Sequence, residues 1–323
     1  STGYTVEFFN INFIKGYVTN AGGGAIYVNN AKVVANNCNF INNSAYRQGG
    51  AIYMTNNANV IVNNSNFINN EGMEQAWNSA NIQGGAIYAD SNSNLIIMDS
   101  NFTENGAYVF DANTAGTSYC YGGCIYAYNA KVNISNSIFE NNTLDTLNTR
   151  NIGGAIYLYN SILNVDDSKF INNLAVRNTY LTVSIMCVGG AIYATGASSK
   201  VIVNDSSFIN NNATESGGAI YIDNNVNLQI TQSNFTDNNI QENGGGAIYI
   251  YNNYNGYIID CNFINNTAPW GGAIYAGYVN VGTGLLNITD STFINNTATN
   301  AGGAILTRFN IIVNNSTFIN NTA

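Results

Sequence analysis

The run Gly49-Gly50-Ala51-Ile52-Tyr53, with Phe67-Ile68-Asn69-Asn70 beginning eighteen residues after Gly49, decides the architecture. The pentapeptide or a near copy opens at Gly23, Gly49, Gly84, Gly122, Gly153, Gly189, Gly217, Gly245, Gly271 and Gly302. A Phe-x-x-Asn element answers it at Phe40, Phe67, Phe102, Phe139, Phe170, Phe208, Phe235, Phe263, Phe293 and Phe318, and a degenerate unit ends at Phe13. Repeats of this length mark an architecture in which each unit buries its apolar face only against its neighbours. Successive glycine pairs lie 26 to 38 residues apart, yet the distance from the first glycine to the Phe is mostly 17 or 18. The constant part is therefore scaffold, and the variable part is the connection from Phe to the next glycine pair.

Within the constant part the apolar residues alternate with period two, as a half-buried strand requires. Positions seven and five before the Phe are Val60 and Val62, Leu95 and Ile97, Val132 and Ile134, Leu163 and Val165, and so on to Ile311 and Val313. Gly256 breaks the pattern in the Phe263 unit. In the pentapeptide, Ile shares its parity with a mostly apolar residue two further on, so Ile points inward while Ala and Tyr point outward. The double glycine marks a corner that needs positive φ or close approach to the next rung. The Asn after each Phe can hydrogen-bond to its equivalent about 4.8 Å above and below. These features predict an all-β, right-handed parallel β-helix: one solenoid domain over 1–323, of about 10–11 rungs with three short strands each, forming a rod on the order of 50 Å long.

Composition excludes several classes of function. Lys and Arg number 9 against 18 Asp and Glu, a net charge of −9, which argues against nucleic acid and anionic membrane surfaces as partners. No apolar run reaches the roughly 18 residues of a spanning helix, so direct membrane insertion of this segment is not expected. The chain has no His, the commonest general base and a common metal ligand. Neither metal nor cofactor is expected. The five cysteines have no framework spacing; Cys38 and Cys261 fall where most units carry Ser and read as small buried residues, while a bridge between Cys120 and Cys187 stays open. The start within a unit, the end just before another glycine pair is due, and the lack of a polar capping repeat suggest a segment of a longer array.

The paired glycine and Phe-x-x-Asn elements resemble the repeats of the polymorphic outer-membrane proteins, a family of surface adhesins and autotransporter passenger domains. They are also similar to adhesin-like β-helix proteins of methanogenic archaea. The resemblance covers residues 13 to 321 and implies a secreted or surface-displayed, non-catalytic role in binding or adhesion. No membrane barrel or anchor is expected within this stretch, a departure from the family pattern that leaves the mode of attachment open.

Four features compete for function. Asp166-Asp167 is the one Asp-Asp pair, but Asp167 occupies a column filled by Asn37, Asn64, Asp99, Asn136, Asp205, Asp260, Asp290 and Asn315 in other units. That column reads as turn chemistry rather than as the opposed carboxylates of sugar cleavage. Tyr53, Tyr88, Tyr126, Tyr157 and Tyr193 belong to an outward stripe that either stacks for stability or offers an aromatic platform to a glycan or protein. The segments 71–83, 106–121, 143–152 and 174–188 leave the same corner of four successive units and carry Trp77, Tyr108, Phe110, Tyr119 and Tyr180, aromatics suited to an interface. Asn42, Asn141, Asn212, Asn265 and Asn295 head glycosylation sequons; those inside the ladder should be too packed to modify, whereas Asn212 stands on the loop side.

The reading is an extracellular, cell-surface stalk that binds a glycan or surface protein of another cell. The alternative is a structural fibre or surface-layer subunit built by homotypic stacking. A polysaccharide-degrading enzyme is the third and least favoured.

Overall fold

The computed structural model describes residues 4–74, 81–109, 118–146, 149–177, 186–224, 226–252, 255–277 and 284–323. The described chain is a right-handed parallel β-helix. Its pentapeptide strands, such as Ile52–Thr55, Ile87–Ala89 and Ile125–Tyr128, form one ten-stranded sheet. The period-two segments, Thr5–Phe9 to Asn310–Asn314, form an eleven-stranded sheet, and the Phe segments, Asn12–Ile14 to Thr317–Ile319, form another. Equivalent residues stand in register: Val60 pairs with Leu95, and Phe67 with Phe102.

The core follows from this registration. Val60, Val62, Leu95, Ile97, Val132, Leu163, Val201 and Leu228 are fully buried, as is every column Phe from Phe40 to Phe293. Neighbouring Phe rings stack with centroids 4.3 to 4.9 Å apart. Burial of each ring is worth roughly 1.5–3 kcal/mol. Gly256 stands between Leu228 and Leu286 in the inward column, and the Leu286 side chain closes on the space that a side chain at Gly256 would fill.

At the glycine corner the two requirements fall on different residues. Gly84 has φ +71°, and Gly85 lies so close to the next rung that a Cβ would overlap the Gly123 carbonyl oxygen. The Asx column beside the Phe is a left-handed turn in each rung, with φ 54° at Asn37, 44° at Asp167 and 55° at Asp260. Asp166, beside Asp167, accepts from Asn204 Nδ2 at 2.7 Å.

Two ladders run along the rod. The second Asn of each pair is buried, from Asn43, Asn70 and Asn105 to Asn296. Asn105 Nδ2 donates to Asn142 Oδ1 at 3.0 Å and to the Phe67 carbonyl at 3.0 Å. A serine ladder runs beside it: the Ser65 backbone N–H donates to Ser100 Oγ at 3.1 Å, and Ser100 Oγ donates to the Met98 carbonyl at 2.6 Å. Cys38 and Cys261 fill serine places as buried residues, as their column position predicts.

The rungs hold more strand than the spacing suggests. After each Asn pair comes a fourth short strand, such as Ser44–Tyr46, Glu71–Glu74 or Thr267–Trp270, and these make a ten-stranded sheet. Its inward residues are mostly small, including Ala45, Ala175, Ala213 and Ala268. In four successive rungs the long connection adds a fifth strand: Asn81–Gln83, Ser118–Tyr121, Thr149–Ile152 and Cys187–Val188 form a separate four-stranded sheet.

Candidate interaction face

The outward tyrosines form an unbroken stack. Tyr27, Tyr53, Tyr88, Tyr126, Tyr157, Tyr193, Tyr221, Tyr249 and Tyr275 follow one another with centroids 4.7 to 5.2 Å apart. They point away from the main core, as parity predicts. Outward is not the same as exposed, however. Tyr88, Tyr126, Tyr157 and Tyr193 are each at most 8% accessible, and Tyr53 is half-buried.

The cover is the four-stranded sheet. Ile152, Val188, Tyr119, Tyr121 and Met186 pack on the tyrosines and make a second apolar core outside the rod. Tyr121 sits tilted against Tyr157, centroids 4.7 Å apart. Burial pushes the Tyr53 and Tyr126 phenols up to about 12 and the Tyr157 and Tyr193 phenols still higher. On the pentapeptide sheet the exposed tyrosine side chains are Tyr27, at the end of the stack, and the neighbouring pair Tyr128 and Tyr159, which stack at 5.3 Å.

The inserted segments are thus partly ordered into strand rather than being wholly loose excursions. Tyr119 is half-buried on the fifth strand, stacks on Tyr121 at 5.5 Å, and accepts a hydrogen bond from Arg150 Nη1. The Arg150 guanidinium also lies over the Tyr119 ring, 4.8 Å from its centroid. The backbone of Tyr108 belongs to the fourth-strand segment Gly106–Val109, and its side chain lies outside the described part. Trp77, Phe110 and Tyr180 lie outside the described residues. The strands on either side of them align the exits of these segments on one corner of adjacent rungs.

Cys120 and Cys187 are both free. They share a column with Asn151 between them, so they stand two rungs apart, about 10 Å, beyond disulfide reach. Burial raises the Cys120 thiol to about 11 and the Cys187 thiol to about 12, which keeps both protonated at neutral pH.

Two arginines, isolated in sequence, find carboxylates across rungs. Arg47 pairs with buried Glu74, whose Oε1 also accepts from the Tyr46 hydroxyl at 3.2 Å. Arg177 reaches Glu215 at 2.9 Å and Glu242 at 2.8 Å. Only the distance of 27 residues between Arg47 and Glu74, one repeat length, signals such a contact in the sequence.

The sequon asparagines divide. Asn42, Asn141, Asn265 and Asn295 are the first of their Asn pairs, in left-handed turns with φ between 54° and 57°. The buried ladder is made by the second Asn, so these four stand outside it, with Asn265 and Asn295 exposed. Asn42 joins an outer ladder, accepting from Asn69 Nδ2 at 2.8 Å. Asn212 lies on the short strand Asn212–Ala213, half-buried, with its Oδ1 enclosed. The crowding expected of the ladder sequons applies to the neighbouring residue instead.

The Chlamydia polymorphic membrane protein repeat matches residues 37–55, 205–223, 260–277 and 290–308, each match running from an Asx turn through a Phe-x-x-Asn element to a pentapeptide strand. These four stretches match the repeat that the sequence resemblance pointed to. No curated protein matches the chain. Among solved structures, a double mutant of the periplasmic alginate epimerase AlgG aligns with 9% identity over 88% of this chain and 70% of that one, with a TM-score of 0.21.

Proposed function

We propose that the chain is a non-catalytic, surface-displayed stalk that binds a glycan or protein on another cell or surface. One observation carries the reading: the long insertions of four successive rungs are aligned by a dedicated sheet. The other described rungs stack without such a sheet. Aligned insertions on a rigid solenoid are a common way to build a recognition surface. The membrane-protein repeats support display at a surface. The Asp166-Asp167 pair is absorbed by a turn and a ladder hydrogen bond, which leaves no opposed carboxylates there for sugar cleavage.

The test is binding of purified monomer to glycan and cell-surface arrays. Saturable binding without release of reducing or unsaturated sugar ends supports the stalk. Sugar release would replace it with an enzyme, and self-assembly without binding would replace it with a fibre subunit.

A further inference from the structure

The tyrosine stack is covered in the middle of the rod and emerges beyond it. The four-stranded sheet ends at Cys187–Val188, and past Tyr221 different residues surround the column. There Asn243, Gly244, Tyr249, Trp270, Tyr275 and Arg308 enclose a cavity of about 290 Å³. That is close to the lower end of small-molecule sites, roughly 300 Å³, and suits one sugar ring rather than a long ligand.

The lining has a definite chemistry. Tyr249 and Tyr275 stack at 4.9 Å, continuing the aromatic column into the cavity wall. Trp270 is 38% exposed, although a large indole left open to water forfeits much of its burial energy. Arg308 is exposed, and its guanidinium lies 5.9 Å from the Tyr275 ring centroid. Arg47 and Arg177 have carboxylate partners and Arg150 holds the Tyr119 hydroxyl, whereas Arg308 makes no ion pair among the described residues. Gly244 pairs with Trp270 across the rungs, and a side chain at Gly244 would run into the Tyr275 ring.

An open indole, an amide and one guanidinium without a carboxylate partner among the described residues make complementary demands on a ligand. The open indole of Trp270 favours the C–H face of a pyranose, while Tyr249 and Tyr275, their faces stacked on each other, present ring edges and hydroxyls. The planar guanidinium favours a carboxylate, which it can hold by two parallel hydrogen bonds. The net charge of −9 works against long polyanions, so a single acidic residue on an otherwise neutral glycan fits better than a polyanionic chain. We infer that the Tyr249–Trp270–Tyr275–Arg308 cavity is a binding site for one carboxylate-bearing pyranose, with Arg308 as the carboxylate's partner. The site is separate from the insertion corner and stands or falls independently of it.

The experiment is a calorimetric titration of the 323-residue chain with methyl glucuronide and, in parallel, with neutral methyl glucoside. Methyl glucuronide should bind with a Kd on the order of 1 mM, as one sugar with one ion pair permits. R308Q should weaken glucuronide at least about tenfold, the usual scale for a lost charge-assisted hydrogen bond, and leave glucoside unchanged. R308K should fall between, and W270A should weaken both sugars. Arg308 is exposed, so the folded state of its variants is checked by circular dichroism and thermal melting. Equal affinity for both sugars, an unaltered glucuronide Kd in R308Q, or no glucuronide binding up to about 50 mM, far above the expected Kd, would overturn the assignment. None of these outcomes decides whether the intact chain binds cells through its insertions.

Discussion

Asn70 and Asn105 are joined twice through one oxygen: Asn105 Oδ1 accepts the Asn70 side-chain amide at 2.9 Å and the Asn70 backbone N–H at 3.0 Å. Asn70 Nδ2 also donates to the Phe40 carbonyl, and its own Oδ1 receives the same two donors from Asn43. One side chain thus ties three successive rungs in a place closed to water. Asn70→Ala removes it and leaves buried groups of Asn43, Asn105 and Phe40 short of partners. The expected cost is about 2–4 kcal/mol, since each abandoned buried group costs about 1–3. Chemical denaturation measures it. Asn69→Ala, on the outer ladder, should cost well under half as much.

Gly85 tests the corner. A methyl group there would overlap the Gly123 carbonyl at the next rung's corner and the Gly106 carbonyl on the fourth strand, both backbone groups that cannot swing aside. Gly85→Ala should therefore destabilise the rod by more than about 1 kcal/mol, the cost of overpacking an ordinary core site, or prevent folding. Ala31→Gly, outside the glycine corner, serves as the mild control. The check is soluble yield and melting temperature.

Tyr157 separates stacking from display. Its ring packs between Tyr126 and Tyr193 under Tyr121, so Tyr157→Ala should cost roughly 3–5 kcal/mol, the range for emptying a buried aromatic site. Tyr157→Phe keeps the ring and should cost far less. If Tyr157→Ala melts like the parent chain, the tyrosine column is not a second core.

The same column predicts alkaline lability. Burial raises the Tyr53 and Tyr126 phenols to about 12 in the folded chain, against 10 for the free side chain. Above pH 10 the unfolded chain loses phenolic protons that the folded chain still holds. Stability linked to these groups is complete below pH 10 and is lost as pH rises from about 10 to 12. Denaturation midpoints measured at pH 8, 10 and 11 should fall already between pH 8 and 10, where the buried Cys120 and Cys187 thiols contribute, and most steeply per pH unit between 10 and 11, where Tyr126→Phe should flatten the fall.

Much of the rod is legible in the sequence because a solenoid repeats its physics. Phe67 and Val60 declare themselves by recurring at fixed distance, and their parity sets inside from outside. The fourth strand is harder to see. Its inward place is held by alanines such as Ala45 and Ala268, which carry little hydrophobic signal beside the Asn pair. The fifth strand is harder again: Asn81–Gln83, Ser118–Tyr121, Thr149–Ile152 and Cys187–Val188 share no motif, and only backbone pairing unites them. Parity correctly turns Tyr88 and Tyr157 away from the core, but it cannot show that another sheet lies over them. The Arg308 cavity escapes for a related reason. Asn243, Trp270 and Arg308 come from three different connections, and stacking alone makes them neighbours.

The central claim is that the rod is scaffold and the aligned insertions recognise the partner. Deleting 106–121 outright would remove the paired strands Gly106–Val109 and Ser118–Tyr121 along with the connection. The direct measurement is therefore the cell-surface binding isotherm of monomer before and after residues 110–117 are replaced by a Gly/Ser linker of equal length. The account predicts saturable binding by the parent and at least about a tenfold weaker isotherm for the replacement, about 1.4 kcal/mol, with an unchanged melting temperature. An identical isotherm from a folded replacement would contradict it.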